Sequence, residues 1–290
     1  VLPEFTVDAL TKIEKEIDAT SSLEDLLPKL RWMGLDDFGL LMLSMPNPNF
    51  PKMSAILPRM ASEQVQKSWT GSSGVGLLRQ TLDFVRSTTY NFARLTGSTL
   101  EGKRVLDFGC GYGRIARLMY YFTHPQDFYG VDPWDKSIEI CRQDGLTRNF
   151  FVSDYLPTSL PTGDISFSLI YAFSVFTHLS ERATRTALAA TLKTLDQNGL
   201  LAITIRPVEY WKFDKRAQEE NLVDRQIASH RSAGFSFLPH NRASVDGDIT
   251  YGDTSMSLEW LQDALPGARI AGFDRSLNDP YQIYVFIRTA

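Results

Sequence analysis

The sequence predicts an α/β protein: a doubly wound, mostly parallel sheet of seven strands, an antiparallel hairpin at its C-terminal edge, and a helical N-terminal extension. Three observations predict it. From Arg104 onward, short apolar runs alternate with stretches of helical periodicity. One of those runs, Leu200–Ile205, is continuously apolar, as an interior parallel strand should be. Two late apolar runs flank a turn segment and have no helix between them.

Element by element, Val7, Leu10, Ile13 and Ile17 recur at helical spacing, and Ser22 with Asp25 forms the capping signature of a helix over Leu23–Leu30. The prolines and asparagines of Pro46-Asn47-Pro48-Asn49-Phe50-Pro51 forbid regular structure there. After Gly71-Ser72-Ser73-Gly74, the residues Leu77, Leu78, Leu82 and Val85 mark a helix running towards Leu95. Strands are expected at Val105–Phe108, Phe128–Val131, Phe150–Val152, Phe167–Tyr171 and Leu200–Ile205. Helices are expected through Ile115–Phe122, through Ile138 and Cys141, and through Leu188–Leu195, the last ending near Asn198-Gly199. Ala268–Phe273 and Gln282–Ile287 form the edge pair. Such alternation argues for a parallel sheet covered on both faces. It divides the chain into an extension or lid over residues 1–100 and a domain over 101–290, with an insertion at about 207–265.

Composition narrows the function. Thirty Lys and Arg against thirty-four Asp and Glu give a net charge of −4, which offers no electrostatic reason to expect nucleic acid. Neither Cys110 nor Cys141 belongs to a CxxC pair, and no His-Cys spacing suits a metal, so neither a disulfide framework nor a metal site is expected. Phe38–Met45 is too short to span a bilayer, and residues 1–20 lack a secretory profile. The chain opens with Val1 rather than Met, as a processed or trimmed chain does. A cytoplasmic protein without membrane partners is expected.

The strongest signal is Val105-Leu106-Asp107-Phe108-Gly109-Cys110-Gly111-Tyr112-Gly113-Arg114. A buried strand runs into three glycines at alternate positions, and a helix follows. Glycines let the main chain turn sharply and approach a ligand closely, and a helix start offers unpaired N–H groups to an anion. A dinucleotide fingerprint, GxGxxG, would need its last glycine where Arg114 stands, which disfavours a nicotinamide-dependent Rossmann oxidoreductase.

The Asp-x-Gly-x-Gly-x-Gly spacing from Asp107 to Arg114 resembles the first motif of class I S-adenosylmethionine-dependent methyltransferases, and the resemblance extends over about Arg104–Pro207. It implies their Rossmann-like fold and S-adenosylmethionine as cofactor. By that resemblance Gly109, Gly111 and Gly113 border the methionine portion, Asp107 helps to hold its amino group, and Asp132 accepts from both ribose hydroxyls. Asp132 also reads as a helix N-cap, with Pro133 at the first helical position. Trp134 and Ile138 wall the adenine. Ser153-Asp154-Tyr155 ends the third strand, where the family places an acid against the adenine amine; Asp154 reads equally as a turn residue.

Tyr171-Ala172-Phe173-Ser174-Val175-Phe176-Thr177-His178-Leu179 resembles the family's fourth motif, so Tyr171 and Phe173 are expected beside the cofactor. His178 has two readings: a general base taking a proton from an acceptor hydroxyl, or an imidazole bonded to backbone near a helix start at Ser180-Glu181. Arg206, Tyr210, Trp211, His230, His240 and Tyr251 are acceptor-side candidates that could equally serve packing. Trp69-Thr70-Gly71-Ser72 reads as a lid over the cofactor. The expected reaction is methyl transfer to oxygen or nitrogen of a small or medium polar acceptor, with a saccharide or secondary metabolite favoured. A catalytically silent scaffold with the same fold is the second reading.

Overall fold

The computed structural model describes residues 2–289; Val1 and Ala290, the outer ends of the two expected domain ranges, lie outside the described residues. The N-terminal helices are α1 (Glu4–Glu16), α2 (Leu23–Leu30), α3 (Leu35–Leu43), α4 (Pro51–Ile56), α5 (Glu63–Thr70) and α6 (Gly74–Thr96). The alternating region follows as β1 (Val105–Phe108), α7 (Arg114–Met119), β2 (Phe128–Asp132), α8 (Asp135–Gln143), β3 (Phe150–Val152), β4 (Phe167–Ala172), α9 (Glu181–Lys193) and β5 (Leu195–Ile205). Then come α10 (Lys215–Glu219), α11 (Val223–Ala233), β6 (Phe235–Pro239), β7 (Gly252–Met256), α12 (Leu258–Asp263), β8 (Ala268–Arg275) and β9 (Ile283–Thr289).

Among the described residues, seven strands form one sheet in the order β3-β2-β1-β4-β5-β9-β8, and β6 pairs with β7 in a separate ribbon. β1 runs parallel to β2, and β4 parallel to β5, whereas β9 is antiparallel to both β5 and β8. The doubly wound sheet with its antiparallel C-terminal edge is therefore as expected. By packing, the chain divides into two compact units, residues up to Arg86 with Leu100–Phe151, and Ser87–Thr99 with Val152 onward.

In the first unit, Ser22 and Asp25 do form a reciprocal capping box at the start of α2. The carboxylate of Glu14 receives the main-chain N–H groups of Lys52 (2.6 Å) and Met53 (3.0 Å), satisfying donors that α4 leaves free. Residues 46–50 are irregular, as expected; only Pro51 enters regular structure, in the first turn of α4, where a missing N–H costs nothing. Gly39 on α3 lets Leu78 and Leu118 approach, where a Cβ would stand 3.0 and 3.3 Å from them.

In the second unit the helix expected to end near Asn198-Gly199 stops at Lys193, and β5 begins at Leu195. Phe167 pairs with Leu195 but Leu169 with Leu200, so the residues between bulge out of register. Gly199 belongs to this bulge rather than to a helix end; a Cβ there would meet Leu195 at 2.8 Å. The insertion holds the β6–β7 ribbon, which the sequence did not announce. All five residues of β7, Gly-Asp-Thr-Ser-Met, are buried, but their polar side chains serve hydrogen bonds and leave no apolar pattern.

Candidate active site

In the first unit the end of β1 is locked to the end of β2. The N–H groups of Gly109 and Cys110 both donate to the Val131 carbonyl, at 2.8 and 3.0 Å. Gly109, Gly111 and Gly113 have φ of 78°, 53° and 73°, a region that costs other residues about 1–2 kcal/mol. At Gly113 the space is also closed, since a Cβ would lie 2.2 Å from a Leu146 methyl. Behind the loop Arg117, at 0 % exposure, donates to the carbonyls of Tyr112 (2.6 Å), Gly113 (2.8 Å) and Arg59 (2.8 Å), and pairs with Asp144 at 3.1 Å. This buried arginine fixes the loop's path. Sequence reasoning passed it over, because a charge three residues beyond the motif looks like an ordinary solvated helix residue.

Asp132 joins the two strand ends through its side chain. One oxygen receives the Gly111 N–H at 2.9 Å; the other receives the Trp134 N–H at 2.9 Å and the Ser137 hydroxyl at 3.0 Å. Burial lifts this carboxyl above the ordinary carboxylate range, while those three donors pull it back. A carboxylate has about four lone-pair positions, so roughly one is left for a further donor. The capping reading is corrected in position: α8 begins at Asp135, and Pro133 precedes it. Asp107 and Ile138 are both buried.

Trp69, on the last turn of α5, lies over this loop. Its ring stacks on Trp134 with centroids 4.6 Å apart and meets Tyr112 edge-on at 5.7 Å. A Cβ on Gly111 would stand 3.8 Å from the same ring. Interleaving a flat base between Trp69 and Trp134 needs about 7 Å, two ordinary carbon contacts. The Trp134 face turned to Trp69 is thus taken, although Trp134 as a whole is 43 % exposed.

In the second unit Ser153 is buried, Asp154 and Tyr155 are exposed, and Tyr171 and Phe173 are buried. Just past β4, Ser174 adopts φ 59°, uncommon for a residue with a side chain. Its N–H donates to the Thr204 hydroxyl at 2.7 Å, and its own hydroxyl receives the Gln282 amide at 3.1 Å. None of these three stood out in sequence.

His178 faces a polar cluster centred on Asp253. Its Nδ1 lies 2.8 Å from the Gly252 carbonyl, which can only accept, so Nδ1 carries the proton. Nε2 then presents its lone pair to the Arg206 guanidinium at 3.3 Å. The ring stacks on Tyr251, with centroids 5.0 Å apart. Burial, then Arg206, push the imidazole down to about 4. The Asp253 carboxylate receives Arg206 (2.9 Å), Tyr210 (3.2 Å) and His240 (2.8 Å). Burial alone would raise its pKa, but His240 and Arg206 hold it below the usual carboxylate value. Burial pushes the Tyr210 phenol up, and its O–H also reaches Asp214 at 2.6 Å. Four acceptor-side candidates, Arg206, Tyr210, His240 and Tyr251, therefore gather round His178. Trp211 and His230 do not; they meet instead on Ser255.

The second reading of His178, an imidazole bonded to backbone, matches this geometry. In this geometry the accepting nitrogen is shared with the Arg206 guanidinium, and burial lowers the basicity of the ring.

Among the described residues, no group of three or more His, Cys, Asp or Glu is arranged to hold a metal, and no helix is long and apolar enough to cross a membrane.

A family profile described as a methyltransferase domain matches residues 105–199, which run from β1 into β5. A fatty-acid O-methyltransferase of Mycolicibacterium smegmatis is 25% identical over 197 residues, covering 66% of this chain and 70% of that protein. Among solved structures, the magnesium protoporphyrin IX methyltransferase of Synechocystis PCC 6803 superposes with a TM-score of 0.50. It is 14% identical, covering 78% of this chain and 94% of that one, and the likeness is one of fold.

Proposed function

We propose that the chain is a class I S-adenosylmethionine-dependent methyltransferase that transfers the methyl group to an oxygen or nitrogen of a small or medium polar acceptor, a reading supported by the methyltransferase-domain match and the curated relative. Oxygen is favoured, in keeping with the relative named as a fatty-acid O-methyltransferase. A saccharide or secondary metabolite remains the acceptor class expected from the motifs.

The observation that carries the cofactor assignment is the bond from Gly111 N–H to Asp132. It sets a bare main-chain loop beside a carboxylate with one lone-pair position in reserve. The fit is chemical: a main chain at Gly111 with no side chain of its own, under the Trp69 ring, and an acid for a sugar diol. Gly109, Gly111, Gly113 and Asp107 would hold the methionine end, Asp132 a ribose hydroxyl, and Pro133 and Trp134 the base side. The cofactor supplies a methyl group already activated on a sulfonium. What the protein adds is alignment and exclusion of water, worth on the order of 7–11 kcal/mol in favourable cases. Trp69 acts as the lid, and must leave Trp134 if adenine is to stack on that face.

His178 serves as a positioning residue: its neutral ring braces Arg206, which braces Asp253. An acceptor hydroxyl would lose its proton there only with Arg206 withdrawn from Nε2. Residues 1–100 act as the covering extension, and the insertion at about 207–265 covers the acceptor. The two free, buried thiols suit a reducing, cytoplasmic setting.

Calorimetric titration with S-adenosylmethionine and S-adenosylhomocysteine tests the cofactor assignment; absence of heat for both refutes it. A screen for S-adenosylhomocysteine release over hydroxyl, carboxyl and amine acceptors then separates an enzyme from a binding scaffold.

A further inference from the structure

A groove of about 510 Å³ opens in the second unit at the carboxyl end of β5, beside the first residue of β9 and the last residues of β8. Its volume falls in the range that holds small organic ligands. Its place matters as much: in open α/β sheets, ligands bind beyond the carboxyl ends of the strands. Apolar walls come from Ile205, Val208, Phe273 and Ile283. Phe273 is 66 % exposed, a large aromatic surface with an open face.

One buried polar residue reaches this lining. His230 is 8 % exposed, and its Nδ1 lies 2.8 Å from the Ser255 hydroxyl. That hydroxyl already accepts the Trp211 indole N–H at 2.7 Å. Ser255 is wholly buried, so its own proton needs an acceptor, and His230 Nδ1 is the one in reach. The chain Trp211 → Ser255 → His230 satisfies every member only if the imidazole proton sits on Nε2. No protein acceptor among the described residues pairs with that Nε2–H. It is a donor without a protein partner, set in a mostly apolar groove. At the mouth, exposed Glu209 and Asp274 outnumber the single cation Arg275, so the rim disfavours an anionic ligand.

We propose that this groove is an acceptor subsite for a neutral amphiphile, whose apolar body lies along Val208 and Phe273 and whose oxygen accepts from His230 Nε2–H. The assignment of the ligand as methyl acceptor rests on the methyltransferase reading above; the binding itself does not.

The test titrates 1-octanol and octanoate into the full chain by calorimetry, with S-adenosylhomocysteine titrated in parallel. The expected result is binding of octanol at least about fivefold tighter than octanoate. His230→Leu should weaken octanol about five- to tenfold, the usual loss of one neutral hydrogen bond, while His230→Gln, which keeps a donor, restores most of it. Phe273→Asp, at an exposed position, should weaken both alkyl ligands about tenfold and leave S-adenosylhomocysteine unaffected. The proposal is overturned if octanol does not bind, if octanoate binds as tightly, or if either His230→Leu or Phe273→Asp leaves octanol affinity unchanged. Octanol binding in a chain that ignores S-adenosylhomocysteine overturns the acceptor assignment instead.

Discussion

Asp132 has little room for replacement. An asparagine keeps one accepting oxygen but turns an NH₂ group towards either Gly111 N–H or the Trp134 and Ser137 donors, and donors facing donors repel. Asp132→Asn should therefore weaken S-adenosylhomocysteine by at least about tenfold in calorimetry, nearly as much as Asp132→Ala, because either change strands buried donors. An asparagine variant with unaltered affinity would mean that the carboxylate is not needed. His178 makes a prediction about stability. Its imidazole sits at about 4 in the folded chain against an ordinary 6.5, so the unfolded chain binds the extra proton first. The stability due to keeping this ring neutral is fully present above about pH 6.5 and is lost as pH falls towards 4. The gap corresponds to about 3 kcal/mol. His230, also lowered by burial, acts with the same sign. Urea midpoints measured between pH 7 and 4.5 should fall, and His178→Asn should flatten the slope. An equal slope in the variant would assign the pH dependence elsewhere.

At the scale of elements, the glycine loop separates a folding requirement from a binding one. Gly113 combines φ 73° with a Cβ position 2.2 Å from Leu146, so Gly113→Ala should lose about 2–4 kcal/mol in chemical denaturation. Gly111 has φ 53° and only an ordinary contact to Trp69, so Gly111→Ala should lose about 1–2 kcal/mol yet cover the main chain offered to the cofactor. The first variant should show mainly a shifted denaturation midpoint, the second mainly a weakened titration. This loop was legible in sequence because its parts are local: an apolar strand, glycines at alternate positions and an acid one strand later. β1 and β4 were equally plain, since nearly every one of their side chains is buried and apolar. β7 was not, because Asp253, Thr254 and Ser255 are buried as hydrogen-bonding groups. Nor was the β5 bulge, where Gly199 imitates a helix end.

For the whole molecule, a ligand that binds only the folded chain raises its stability by linkage, about 2.7 kcal/mol at a hundredfold excess over Kd. S-adenosylhomocysteine should accordingly move the thermal midpoint up by several degrees, and Asp132→Ala should abolish that movement while still melting cooperatively. The seven-stranded sheet could be read from periodicity alone, but the polar cluster could not, since Arg206 and Asp253 meet across 47 residues of sequence with no pattern linking them. That pairing constrains engineering. The ribbon is not a detachable ornament: the Gly252 carbonyl accepts from the His178 ring and Asp253 neutralises the Arg206 guanidinium, groups that follow the interior strands β4 and β5. A chimaera that borrows this region from a homologous enzyme must bring its own carbonyl for His178 and its own anion for Arg206. Without them the recipient inherits a stranded cation.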